Sequence, residues 1–118
     1  MRPETAAALF DMSRAAERIA EVMYGVTLEG FRSQWIIQSA VERQFEILGE
    51  ALVRVREFER PNYEPIPDAA KIIGLRNIII HGYDSVDPAI LWAIVEDRLG
   101  ELRALLEALL EEARKQGL

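Results

Sequence analysis

The chain has no cysteine and a single histidine among its 118 residues. The first absence excludes disulfides and thiolate metal sites, and it fits a cytoplasmic setting. The second leaves imidazole chemistry to one residue, His81. It also leaves Glu46 and Glu50 without a nitrogen ligand to help them hold a cation, so no metal and no cofactor is expected. No apolar run approaches the roughly 20 residues of a membrane span. Met1-Arg2-Pro3-Glu4 lacks the apolar core that a signal peptide would carry. A basic excess is missing too: 14 Lys and Arg against 20 Asp and Glu give a net charge of −6. That balance argues against an indiscriminate nucleic-acid binder, and DNA is not expected as a ligand.

What is present suits one folded unit, residues 1–118. Half of the residues are hydrophobic and 29% charged, which speaks against disorder and is enough for a real core. The charge is uneven along the chain. Residues 1–30 carry three basic and five acidic groups, and residues 84–118 carry four and eight. Residues 31–83 carry seven of each. An anionic substrate would therefore depend on a local arginine site in this balanced block, not on the field of the whole molecule.

The apolar spacing is helical throughout. Leu9, Met12, Ala16, Ile19 and Met23 recur at threes and fours and predict a helix from Thr5 to about Tyr24. Thr27 caps a short turn. Ser33 is placed to cap a long helix over 34–58, with Ile37, Val41, Phe45, Leu48, Leu52 and Val55 inward. Ile36, Ala40, Ile47 and Ala51 widen that face. Gly49 has poor propensity for its mid-helix position and points to close approach by a neighbour. Glu59 to Pro67, with three prolines in seven residues, reads as a loop. Pro67 or Asp68 opens the next helix, which runs to His81 and bends or breaks near Gly74. Asp87-Pro88 restarts the chain as cap and first helical residue. Trp92, Val95, Leu99, Leu102, Leu106 and Leu109 then line the last helix, and Glu111 to Lys115 form a solvated tail. Trp35 and Trp92 read as core or interface. No strand pattern survives, so the expected fold is all-α, a helical bundle.

The stretch Arg76-Asn77-Ile78-Ile79-Ile80-His81-Gly82-Tyr83 combines core-forming and reactive side chains. On a helix, Asn77 and His81 share a face at i, i+4. Arg76 and His81 stand about 140° apart. Gly82 is a natural stop. Two readings stay open at each position. His81 is either a satisfied structural histidine or a proton-transfer group. Arg76 is the partner of Glu46 or Glu50 in a buried ion pair, or the local arginine that an anionic substrate would need, and the two are compatible. Tyr83 either packs at a helix end or has a role of its own.

These residues resemble the HepT-like branch of the HEPN superfamily. Arg76-x4-His81-x-Tyr83 matches its signature, with Asn77 after the arginine. Ile72-Ile73-Gly74-Leu75 precedes it and Asp84-Ser85-Val86-Asp87 follows. Upstream, Arg43-Gln44-Phe45-Glu46-Ile47-Leu48-Gly49-Glu50-Ala51 is similar to the family's R-x-x-E-x-x-G-E-A helix. The likeness runs from about Leu9 to Leu106. It implies a four- to five-helix up-and-down bundle that forms a homodimer. It also implies a metal-independent ribonuclease toxin of a toxin–antitoxin module, with Arg76 and His81 catalytic at a composite dimer site. Asn77, Glu46 and Glu50 would support them. Tyr83 would accept AMP from a minimal nucleotidyltransferase antitoxin, which silences the RNA cleavage. The alternative is a non-catalytic helical module that uses the same surface to dock a nucleotidyltransferase or a nucleotide.

Overall fold

Leu9, Met12, Ala16, Ile19 and Met23 are all buried on the first helix, as their spacing requires. The computed structural model describes residues 1–82 and 86–118. Its helices are α1 (Pro3–Met23), α2 (Leu28–Ser33), α3 (Trp35–Phe58), α4 (Arg60–Tyr63), α5 (Ala69–His81) and α6 (Pro88–Lys115). Among the described residues there is no strand. None of their helices is long and apolar enough to cross a membrane. The protein is thus an all-α bundle of four long helices with two short ones at the connections.

The turn chemistry is mostly as expected. Thr27 Oγ1 accepts the Gly30 N–H at 3.0 Å and starts α2. Asp87 accepts the Ala89 N–H at 2.9 Å and starts α6. Gly82, at φ +62°, takes the left-handed conformation that closes α5.

Other expectations need correcting. Ser33 does not cap α3; it ends α2, where its hydroxyl donates to the Gly30 carbonyl at 3.1 Å. Gln34 stands at the start of α3, without a side-chain cap. Gln38, in the first turn of α3, donates to the Phe31 and Arg32 carbonyls at 2.6 and 3.0 Å; this serves acceptors at the end of α2 and ties the two helices together. The proline-rich 59–67 loop contains the single turn of α4, because Pro61 fits a first helical turn. Helix α5 runs through Gly74 without a break. The α6 core stripe begins with Leu91 and Ile94; Trp92 and Val95 are only half-buried. Trp92 packs instead on Phe31, ring centroids 6.3 Å apart. Trp35 and Ile36 are 72% and 65% exposed, so neither is core. Glu111 to Lys115 continue the helix, with Ala113 buried.

Helix α1 lies between α3 and α6, and α3 carries α5 on its other side. The Met1 ammonium donates to Gln116 at 2.9 Å, and the Arg2 N–H donates to Glu59 at 2.6 Å. The start of α1 therefore lies beside the ends of both α3 and α6. It runs antiparallel to each, and those two run parallel to one another. Asp68 on α5 meets Arg98 on α6 at 3.3 Å. Past that ion pair, the two helices flank an open groove.

The Glu59 contact caps α1 from a distance, since Arg2 at the helix start makes no side-chain cap of its own. Glu59 also accepts from the buried Thr5 hydroxyl at 3.0 Å and from Asn62 at 2.6 Å. The Arg2 N–H bond holds the Glu59 carboxyl below its ordinary value; loss of hydration opposes it, and Thr5 and the terminal ammonium assist it. A carboxylate with a lowered folded pKa stabilises above its unfolded value, near 4, and that share is lost as pH falls through the folded value. Glu59→Ala removes the acceptor of these hydrogen bonds at a solvent-screened site and should cost about 1 kcal/mol at neutral pH. Urea denaturation of both proteins should show the gap narrowing below about pH 4.

Candidate active site

Helix α5 is apolar on nearly every side, which ordinarily marks a helix buried all round. Only one side is covered. Ile72, Ile73 and Leu75 are buried, whereas Ile78 and Ile80 are 52% and 43% exposed. The covered side meets α3 where Gly49 leaves room. A Cβ built on Gly49 would lie 2.5 Å from Arg76 Cβ, 3.0 Å from its Cγ and 3.3 Å from the Ile72 carbonyl oxygen. The close approach expected at Gly49 is thus made by the stem of Arg76.

Only the stem belongs to that contact. Arg76 is half-buried, and its Nε is shielded from water without a hydrogen-bond partner. Its Nη1 donates to Asn77 Oδ1 at 2.8 Å. The guanidinium therefore engages the next residue around its own helix. Among the described residues it makes no ion pair. The buried pair with Glu46 or Glu50 is not formed: Glu46 pairs with Arg43 at 2.6 Å, one turn back on its own helix. Glu50 is half-buried on α3. Elsewhere on α3, burial raises the pKa of the Glu42 carboxyl.

Asn77 and His81 line the groove between α5 and α6, about 700 Å³ in volume. Lys71, Gly74, Leu75 and Ile78 complete the α5 wall, and Val86, Asp87, Ile90 and Ile94 face them. His81 is exposed at the end of α5. Arg76 does not line this groove; it reaches the groove's edge only through Asn77. The structure thus gathers Arg76, Asn77 and His81 within about a turn and a half of α5, with Asn77 between the other two. It leaves Glu46 and Glu50 on α3. Tyr83, the expected AMP acceptor, lies outside the described residues, as do Asp84 and Ser85 of the same motif.

Lys71 escaped notice in the sequence. The signal was the spacing Lys71, Gly74, Ile78, His81, in steps of three, four and three, which puts the lysine on the histidine's own stripe. Among the described residues no group of three His, Cys, Asp or Glu is placed to hold a metal ion. What the arrangement offers is a planar, permanently charged phosphate ligand, an amide that orients it, and an imidazole at the mouth of a largely apolar groove.

An all-α bundle with this site on its third long helix belongs to the HEPN class. The chain is a member of the HepT-like ribonuclease family, whose model, described as Ribonuclease HepT-like, matches residues 12–109. It is 30% identical over 99 residues to the Methanocaldococcus jannaschii protein named "Putative RNase MJ1380", covering 84% of this chain and 90% of that one. It is 33% identical over 103 residues to "Probable ribonuclease HepT" of Thermococcus cleftensis, covering 86% and 91%. A longer M. jannaschii protein, "Gamma-glutamylcyclotransferase and putative RNase MJ0434", is 29% identical over 115 residues, 98% of this chain and 51% of that protein. No solved structure matches significantly.

The absence of a carboxylate partner for Arg76 among the described residues bears on stability. Removing one member of a buried ion pair typically costs about 3–5 kcal/mol, because the other charge is stranded. Arg76→Ala strands no charge and removes a shielded, unpartnered Nε, so only the packing of the stem is lost. Its stability should fall by less than about 2 kcal/mol. Chemical denaturation checks this, and a loss in the ion-pair range would mean a carboxylate partner after all.

Proposed function

We propose that this protein is a metal-independent endoribonuclease, acting in the cytoplasm as the toxin of a toxin–antitoxin module. The observation that carries the reading is the Arg76–Asn77 hydrogen bond of 2.8 Å, set beside a groove that His81 lines. Family membership and the names of the relatives point to RNA as the substrate.

In this mechanism a base takes the proton from a ribose 2′-OH. The 2′-oxygen attacks the adjacent phosphorus, the bond to the 5′-oxygen breaks, and an acid protonates that leaving oxygen. The products are a 2′,3′-cyclic phosphate and a 5′-hydroxyl. Arg76 neutralises the charge that builds on the phosphorane, with a fork suited to two oxygens. Asn77 holds that fork toward the groove. His81 moves protons, as imidazole does near neutrality. One chain supplies one histidine, so an acid and a base histidine require two copies. A homodimer with a composite site meets that need. Ile78, Ile80 and Ile90, each 43–52% exposed around the site, favour a covered apolar face.

Arg76→Ala and His81→Ala should each lower RNA cleavage by about a hundredfold or more. Asn77→Ala should lower it less, because the guanidinium stays but loses its orientation. Cleavage products should carry 2′,3′-cyclic phosphate ends, and sedimentation at micromolar concentration should show a dimer. Undiminished cleavage by the double variant of Arg76 and His81 would sink the nuclease reading. A docking module for a nucleotidyltransferase or a nucleotide would then be the better account.

The same reading gives Tyr83 the regulatory role. A minimal nucleotidyltransferase antitoxin transfers AMP from ATP to its hydroxyl, releasing pyrophosphate, and the added phosphate competes for Arg76. Tyr83→Phe keeps the ring and loses the acceptor oxygen. It should remain an active nuclease and escape silencing when incubated with the antitoxin and ATP. Mass analysis locating the adduct on Tyr24 or Tyr63, or finding none, would refute this assignment.

A further inference from the structure

We infer that Gly49, on a different helix from the proposed catalytic residues, is a positioning residue that sets where the Arg76 guanidinium stands. The inference rests on the nuclease reading for its functional consequence, though not for its geometry. Any side chain at Gly49 would bring a Cβ within 2.5 Å of Arg76 Cβ and 3.0 Å of its Cγ. These are the first atoms of the arginine side chain, fixed to the α5 backbone. They cannot swing aside as a guanidinium tip would, so α5 itself must shift or turn. The Ile72 carbonyl oxygen, 3.3 Å from the same point, closes the other escape.

Three features make that contact specific to Arg76. Its Nε is sealed from water, so the head of the side chain is held in packing just beyond the stem that meets Gly49. Its Nη1 reaches Asn77 Oδ1 at 2.8 Å, a distance that tolerates little movement of the stem. Finally, the helix accepts glycine at position 49 although alanine has much the better propensity. Gly100 on α6 supplies the contrast: a Cβ there meets nothing within 4 Å, so its replacement probes propensity alone.

The test compares Gly49→Ala with Gly100→Ala in the full-length protein by two readouts. The first is steady-state RNA cleavage. Misplacing a group that acts on the transition state should lower kcat by about a hundredfold with KM little changed. Gly100→Ala should keep both. The second is the arginine Nε–Hε spectrum by NMR, in which the Arg76 signal is assigned by its loss in Arg76→Lys. That proton should exchange slowly with water in the wild type and in Gly100→Ala, and shift and exchange faster in Gly49→Ala. Wild-type kcat together with an unmoved Nε–Hε signal in Gly49→Ala would overturn the inference. If Gly49→Ala does not fold, Gly49→Ala/Arg76→Gly decides. Recovery of the fold would show that Gly49 makes room for the Arg76 stem, and failure to recover it would overturn the inference. A wild type that cleaves no RNA refutes the nuclease reading, while the Nε–Hε signal still judges the role of Gly49.

Discussion

The contact between Gly49 and the stem of Arg76 is the constraint from which the site follows. A helix packed on a side chain keeps its distance from its neighbour; a helix packed on a glycine comes close enough for backbone and stem to touch. Here α5 comes that close to α3, and Arg76 is what fills the contact. An arginine serves both purposes because it is two kinds of residue along its length. Its methylenes pack as a hydrophobe would, and its head still carries charge and donors beyond the contact. The same contact turns Ile72 and Ile73 inward and leaves Ile78, Ile80 and the groove wall outward. Packing on α3 thus goes with one side of α5 buried and the other open to the groove.

The electrostatics of the site are local. The chain is acidic, yet the excess lies in residues 1–30 and 84–118, and residues 31–83 are balanced. Within that block Arg43 takes Glu46 as its partner, whereas Arg76 takes an amide oxygen. An amide orients a guanidinium without neutralising it. The charge of Arg76 is thus available to an anion in a way that an arginine engaged with a carboxylate is not. A protein of net charge −6 can meet a polyanion on these terms only at short range.

Most of the framework could be read from the sequence because it rests on local rules. The threes and fours of α1, the Asp87-Pro88 start and the Gly82 stop are short-range statements, and the structure follows them. Gly49 could be read as a close approach because its low propensity needed a reason. Other features depended on partners distant in sequence. Ser33 is an exception at short range: its hydroxyl donates back to the Gly30 carbonyl at the end of α2 and does not cap α3. Asp68 starts α5 at φ +57° without capping it, since its carboxylate is turned to Arg98. The partner of Arg76 was open between carboxylates on the long helix and none at all. Side-by-side residues on a helix do not ordinarily face each other, so the Asn77 bond is not one that the spacing announces.

An apolar surface around a polar site has a consequence for the proposed chemistry. Ile78 and Ile80 precede His81 in sequence, and Ile90 lies across the groove from it. Left bare, these residues are a solubility cost with nothing gained. Covered by a second copy, they would exclude water from the space where imidazole and guanidinium act. Interactions between charges strengthen as water leaves, so one guanidinium could then stabilise a phosphorane that it would barely influence in bulk solvent. On this view the isoleucine run and the single histidine are adjacent for one reason. If His81 is half of a two-chain proton relay, the helix that carries it would also carry the surface that brings in the other half.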